Sequence, residues 1–268
     1  MKKRIISAIC LIVIFIPFLL LGGNYYLAMG LFLGLFSLWE ILRQEKNIPP
    51  YMKIISYIIC IFLILRKFDS ANYYNIIDYL TIMIMFFIYS FSIIINRNIK
   101  KYSYKDAIWL FAVTLIIGML FNSFVKIRII GLYHVIYCVL IACMTDTFAL
   151  FGGKLFGKHK LPSEISPNKT VEGSIIGSIG GTIIGSLFYI YAISDFNIGI
   201  IIALTFILTI FGQFGDLFFS SIKRFYKIKD YSNLIPGHGG ILDRLDSMLF
   251  VISGYLIYIL IFLEELWY

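Results

Sequence analysis

An all-α, polytopic integral membrane protein of about nine transmembrane helices is the fold class this sequence predicts, and three observations predict it. Of its 268 residues 60% are hydrophobic and 14% charged, with a mean hydropathy of +0.90, whereas a soluble domain is about half apolar and a quarter charged. Apolar runs long enough to cross about 30 Å of hydrocarbon as a helix recur from one end of the chain to the other. The polar stretches between them are short, so one continuous membrane domain accounts for the whole chain.

The first run, 5–22, follows Met1-Lys2-Lys3-Arg4, the charge pattern of a signal peptide. Leu20-Leu21-Gly22-Gly23-Asn24 lacks a small-x-small cleavage site, however, and a second run, 24–42, follows at once, so the first is read as a retained span. The third run, 53–66, is short for a crossing and could be a tilted or interfacial helix; losing it would invert the first two spans. After the fourth, 75–96, the chain up to residue 105 is nearly free of intramembrane charge and shows no chemical motif. Residues 1–105 are therefore expected to be scaffold and lipid-facing surface, and 106–268 the functional region of the same membrane domain.

The fifth and sixth runs are 106–122 and 129–150. The seventh, 172–194, carries Gly173-Ser174, Gly177-Ser178, Gly180-Gly181 and Gly185-Ser186 on one helical face. Small residues at that spacing favour close helix packing over a substrate groove. The eighth and ninth runs are 198–221 and 241–262.

With the N-terminus in the cytoplasm, 18 of the 23 Lys and Arg residues fall in inner loops, four (Arg66, Lys67, Lys126 and Arg128) fall outside, and Arg244 lies in the last run. The inner group includes Arg97, Lys100 and Lys101. The positive-inside rule favours that orientation. The net charge of +8 is spread over loops and forms no soluble basic face, which argues against nucleic acid and for anionic lipid headgroups and phosphates. Cys10, Cys60, Cys138 and Cys143 all sit in apolar runs without metal-ligand spacing, so neither a disulfide framework nor a zinc site is expected.

Four carboxylates fall in or at the edge of apolar runs, where burying charge is costly: Asp146, Asp216, Asp243 and Asp246. The derived topology puts all four near the cytoplasmic face. Asp243 and Asp246, three residues apart, share a helical face and could address one cation or two adjacent ones; such oxygen ligands suit magnesium. The alternative is that these acids are buried ion pairs with Lys223, Arg224 or Arg244 that set helix register.

Two inner loops carry phosphate-binding chemistry. One runs Ser221-Ile222-Lys223-Arg224, Lys229-Asp230, Pro236-Gly237-His238-Gly239-Gly240, then Asp243-Arg244-Leu245-Asp246. Gly237, Gly239 and Gly240 permit backbone amides to approach an anion at a helix start, and Lys223, Arg224 and Lys229 can neutralise a polyphosphate. His238 is expected to bind phosphate or position a ligand, with His134 a packed residue and His159 a polar loop residue. The other loop holds Gly152-Gly153-Lys154, Lys158-His159-Lys160 and Ser166-Pro167-Asn168-Lys169-Thr170-Val171-Glu172-Gly173. Ser166, Lys169 and Thr170 offer donors to phosphate or ribose oxygens, and Glu172 could cap the next helix or hold a basic partner.

The stretch Ser221 to Asp246 resembles the signature of the phosphatidate cytidylyltransferases: a Ser, Lys-Arg, Lys-Asp, His-Gly-Gly and Asp-Arg-x-Asp. Asp146 to Gly173 is similar to that family's other cytoplasmic region, with Leu150 where an aromatic is common and Val171 where a Trp is common. The resemblance implies CTP and phosphatidic acid as substrates, CDP-diacylglycerol and pyrophosphate as products, a divalent cation, and a homodimer in the cell membrane with its active site cytoplasmic. On that footing Asp216, Asp243 and Asp246 would hold magnesium. Ser221, Lys223, Arg224 and Arg244 would complete the catalytic group. Asp146, Lys154, Lys158, Ser166, Lys169, Thr170, Lys229, Gly237, His238, Gly239 and Gly240 would line the CTP site. Three rivals stand against this: an ion-coupled carrier, which predicts acids at the midplane and two matching halves; an enzyme acting on a polyprenol or ether lipid; and a non-catalytic scaffold.

Overall fold

The structure, a computed structural model, describes residues 2–66, 74–96, 102–161, 165–193, 197–237 and 239–262. His238 and the loop cations Lys67, Arg97, Lys100 and Lys101 lie outside the described residues. Nine helices follow one another among the described residues: α1 (Lys2–Leu21), α2 (Gly23–Leu42), α3 (Pro50–Leu65), α4 (Tyr74–Ile95), α5 (Tyr104–Ile130), α6 (Leu132–Phe156), α7 (Val171–Ala192), α8 (Ile198–Phe225) and α9 (Leu242–Phe262). Two isolated β-bridges, Lys160 with Thr170 and Ile235 with Gly239, are the extended pairings among these residues. Six helices, α2 and α5 to α9, are long and apolar enough to cross a membrane, while α3 and the Leu80–Ile95 part of α4 are shorter apolar helices.

Helices outrun the apolar runs at several ends. A hydropathy window stops at the first charges, but a helix continues while its backbone is paired and long side chains can reach a partner. Thus α5 runs on to Ile130, which puts Lys126 and Arg128 in a helix, not in the outer loop expected for them. Arg128 donates from Nε to Leu19 O at 2.8 Å and from a terminal nitrogen to Leu20 O at 3.2 Å, satisfying carbonyls that the end of α1 leaves open. Likewise α6 extends through Lys154 to Phe156, and α8 through Ser221, Lys223 and Arg224. The start of α3 moves back to Pro50, whose missing amide costs nothing in the first turn.

Two helix starts carry local signals. Ser103 and Asp106 form a capping box at α5, with Ser103 N donating to Asp106 Oδ2 at 2.7 Å. Thr170 is the N-cap of α7 and accepts from Gly173 N at 3.1 Å. Thr170→Val keeps the shape and removes the acceptor; it is expected to cost about 1 kcal/mol. The thermal midpoint in detergent should then fall by about 2 to 4 °C.

The small-residue face of α7 packs on α6. A Cβ on Gly177 would fall 2.8 Å from both Ala149 Cβ and Thr145 O, and one on Gly181 would fall 2.2 Å from Thr145 Oγ1. Such backbone proximity gives dispersion contact without a hydrophobic drive from water. Helix α5 packs against α2, α3 and α4 and also against α9.

Candidate active site

The C-terminal part of α6, the loop that follows it, the first turn of α7 and the Gln213–Asp216 turn of α8 enclose a pocket of about 540 Å³, in the range of small-ligand sites. Asp146, Leu150 and Lys154 of α6, Asn168, Lys169 and Thr170 of the connecting loop, and Gln213 and Asp216 of α8 line it.

The loop wall is built from a short pairing. Leu161 N donates to Lys169 O at 3.0 Å and Val171 N to His159 O at 2.9 Å, which folds the segment back on itself. Glu172 fastens the turn from α7, accepting Lys158 N at 3.1 Å and His159 Nδ1 at 2.6 Å. The expectation that Glu172 holds a basic partner is met by His159. This leaves Lys169 directed inward, where its ammonium pairs with Asp216. Ser166 contributes its carbonyl, which accepts Lys169 N at 3.2 Å.

Three carboxylates from three helices share this corner. Asp216 acts electrostatically on both Asp146 and Asp246, and Asp146 acts on Asp246. Ser247 Oγ donates to Asp146 Oδ2 at 3.2 Å, which joins α9 to α6, while Ser220 Oγ donates to Asp216 Oδ1 at 3.2 Å. Asp246 is buried, with 8% of its surface exposed. Among the described residues no three His, Cys, Asp or Glu side chains form a complete metal cage. Carboxylates are hard oxygen donors, the ligand type of a cation that takes its remaining oxygens from substrate and water.

Asp243 faces elsewhere. Its Oδ1 accepts Lys223 Nζ at 2.8 Å, and its Oδ2 accepts Tyr231 N at 2.8 Å and Gly240 N at 2.9 Å. Both members of the Lys223–Asp243 pair are buried, their side chains 9% and 2% exposed. An ion pair with Lys223, the alternative named for these acids, is present at Asp243. Lys223 also lies 5.5 Å from the centre of the Tyr231 ring. Burial, with Asp243 next in effect, pushes the Tyr231 phenol above its ordinary range. It stays protonated and donates to Phe219 O at 3.0 Å.

The glycine turn is shaped by the same contacts. Gly237 and Gly239 have φ of 80° and 86°, the left-handed region that favours glycine, and Ile235 and Gly239 exchange backbone hydrogen bonds across the turn. The amides at the start of α9, expected to face phosphate, have partners within the chain: Gly240 N donates to Asp243, Ile241 N and Leu242 N to Glu40. Arg224 donates to Ile165 O and Ile228 O, at 3.3 and 3.0 Å, pinning both loops. Ser221 Oγ is turned to its own helix, donating to Phe218 O at 2.7 Å. The side chains of Lys158, Lys229 and Arg244 stand on the exposed side of their segments.

Glu40 of α2 is a site-supporting residue that the sequence reading passed over. Its signal was available: a carboxylate near the end of an apolar run, the same feature that singled out Asp146. The expected interfacial or packed residue His134 donates or accepts at Tyr255 OH, 2.6 Å away, far from this corner along α6.

The sequence profile of the cytidylyltransferase family matches residues 2–262. A phosphatidate cytidylyltransferase of Staphylococcus haemolyticus is 35% identical over 256 residues, covering 94% of this chain and 96% of that protein. The enzyme of the same name from Staphylococcus aureus is 35% identical over 257 residues with the same coverage of both chains, and that of Staphylococcus epidermidis is 34% identical over 256 residues.

Proposed function

This chain belongs to the cytidylyltransferase family, and from that premise we propose that it transfers the cytidylyl group of CTP to phosphatidic acid, giving CDP-diacylglycerol and pyrophosphate. The observation that carries the reading is the meeting of Asp146 and Asp216, from two separate helices, with Lys169 and Lys154 around one pocket, and with Asp246 of a third helix within their electrostatic reach. An ion-coupled carrier would place its acids at the midplane instead.

The chemistry asks little of a base and much of electrostatics. An oxygen of the lipid phosphate attacks the α-phosphorus of CTP, the bond from that phosphorus to the α–β bridging oxygen breaks, and pyrophosphate departs with the electron pair. The lipid phosphate is already ionised near neutral pH, so no side chain need remove a proton. Repulsion between two polyanions is the barrier, and Lys169 and Lys154 lower it by standing where the phosphates meet. Asn168 and Thr170 add donors for phosphate or ribose oxygens.

Magnesium fits the acid corner, with Asp216 and Asp246 as its protein ligands and Asp146 beside them. When bound it would neutralise developing charge and align the displacement. Asp243 and Lys223 are assigned to the architecture of the turn, with Ser221, Arg224, Arg244 and Lys229 around it. The positive-inside count supports a cytoplasmic N-terminus and site, with all nine helices crossing or entering the cell membrane. A homodimer is the assembly that the resemblance to the family implies.

The test is direct. Purified protein incubated with radiolabelled CTP, magnesium and phosphatidic acid is expected to give a lipid-soluble cytidine product, and chelation of the divalent cation is expected to stop its formation. Absence of that product from folded preparations that bind CTP would overturn the reading.

A further inference from the structure

Glu40 lies on α2, in the region whose sequence promised only scaffold, yet it is completely buried. Its Oε1 accepts Ser232 Oγ at 2.5 Å and Ile241 N at 2.9 Å, and its Oε2 accepts Leu242 N at 2.9 Å. One turn further along, Gln44 donates from Nε2 to Tyr231 O at 3.1 Å. The inner end of α2 therefore grips the turn before α9 and the first residues of α9 itself. Gly240 makes room for this: a Cβ there would fall 2.2 Å from Glu40 Oε1.

The first amides of a helix lack intrahelical acceptors, and a carboxylate placed against them satisfies donors and complements the helix dipole. Here the carboxylate comes from a helix about two hundred residues away. Holding Ile241 N and Leu242 N fixes both the height and the rotation of the first turn of α9. Asp246 stands one turn beyond Leu242 on that helix, so its direction toward Asp216 follows from the same anchor.

We propose that Glu40 is a positioning residue for cytidylyl transfer: it locks the first turn of α9 so that Asp246 faces Asp216 and Asp146. The inference rests on the assignment of Asp216 and Asp246 to the reacting centre. Glu40 touches no substrate; it acts through the backbone of Ile241 and Leu242.

Glu40→Gln tests it, because one carboxylate oxygen becomes an amide nitrogen that must face another donor. Two readouts are needed. Hydrogen exchange of a peptide spanning Ile241 and Leu242 is expected to accelerate about tenfold or more, with the segment 157–161 unchanged. The kcat per CTP-binding molecule is expected to fall about tenfold or more, with the KM for CTP changed far less. A merely structural role would lower the folded fraction and leave kcat per binding-competent molecule alone. Unchanged exchange, or faster exchange with kcat within about twofold of the starting protein, would overturn the proposal. If Glu40→Gln fails to accumulate, Ser232→Ala removes one of the three contacts and is expected to give about a threefold fall in kcat with faster exchange; no change in either would overturn it. Failure of the functional reading is separately visible, as absence of lipid-linked cytidine from the unsubstituted protein, whereas the exchange measurement reads the clamp regardless of turnover.

Discussion

Asp246→Asn is expected to lower kcat by about a thousandfold or more, equivalent to about 4 kcal/mol of transition-state stabilisation, while the protein stays folded in detergent. The side chain is buried in a corner where its strongest charged neighbour is another carboxylate, Asp216. Removing its charge therefore relieves repulsion in the resting protein and should leave the thermal midpoint equal or higher. Asp216→Asn is expected to match it in activity, with a smaller gain in stability because Asp216 also pairs with Lys169. Loss of turnover with retained or raised stability is the signature of a residue kept for function at the expense of the fold. Activity within about tenfold of the starting protein for either variant would remove these two acids from the reacting centre.

Asp243→Asn should behave differently, although Asp243 and Asp246 stand only three residues apart on α9. It leaves Lys223 buried without its counter-charge and weakens acceptance from Tyr231 N and Gly240 N. Breaking a buried pair by removing one partner costs about 3 to 5 kcal/mol, because the remaining charge is stranded. Asp243→Asn and Lys223→Met are each expected to lower the thermal midpoint and to abolish activity together. The double variant Asp243→Asn with Lys223→Met strands no charge and should recover part of the stability without recovering activity. If the single variants were inactive yet as stable as the starting protein, Asp243 would belong to the reacting centre and not to the turn.

The contrast between these two aspartates shows where sequence reading stops. A carboxylate in an apolar run stands out from any sequence because its burial needs a reason, so all four acids were legible. Which reason applies depends on partners brought by folding: Asp243 meets a lysine twenty residues earlier and amides of its own turn, while Asp246 meets acids on α6 and α8. The same limit applies to the glycines. Gly237, Gly239 and Gly240 were legible as a turn with available amides, but the anions those amides meet include Glu40, a residue from another helix whose approach no local pattern reveals. Helix count and order followed from the apolar runs, whereas the ends of α5, α6 and α8 did not. Arg128 and Lys223 find partners inside the bundle that carry the helices past the point where hydropathy falls. The bridge between residues 159–161 and 169–171 and its fastening by Glu172 depend on the geometry of the closed loop, not on propensity.

The central claim is that acids from separate crossings jointly hold a cation shared with the nucleotide. Binding of Mn2+ as a spectroscopic stand-in for magnesium, followed by electron paramagnetic resonance with and without CTP, tests it most directly. The unsubstituted protein is expected to immobilise Mn2+ in a CTP-dependent manner, and Asp216→Asn and Asp246→Asn are each expected to abolish that signal. Equal CTP-dependent immobilisation by all three proteins would contradict the account.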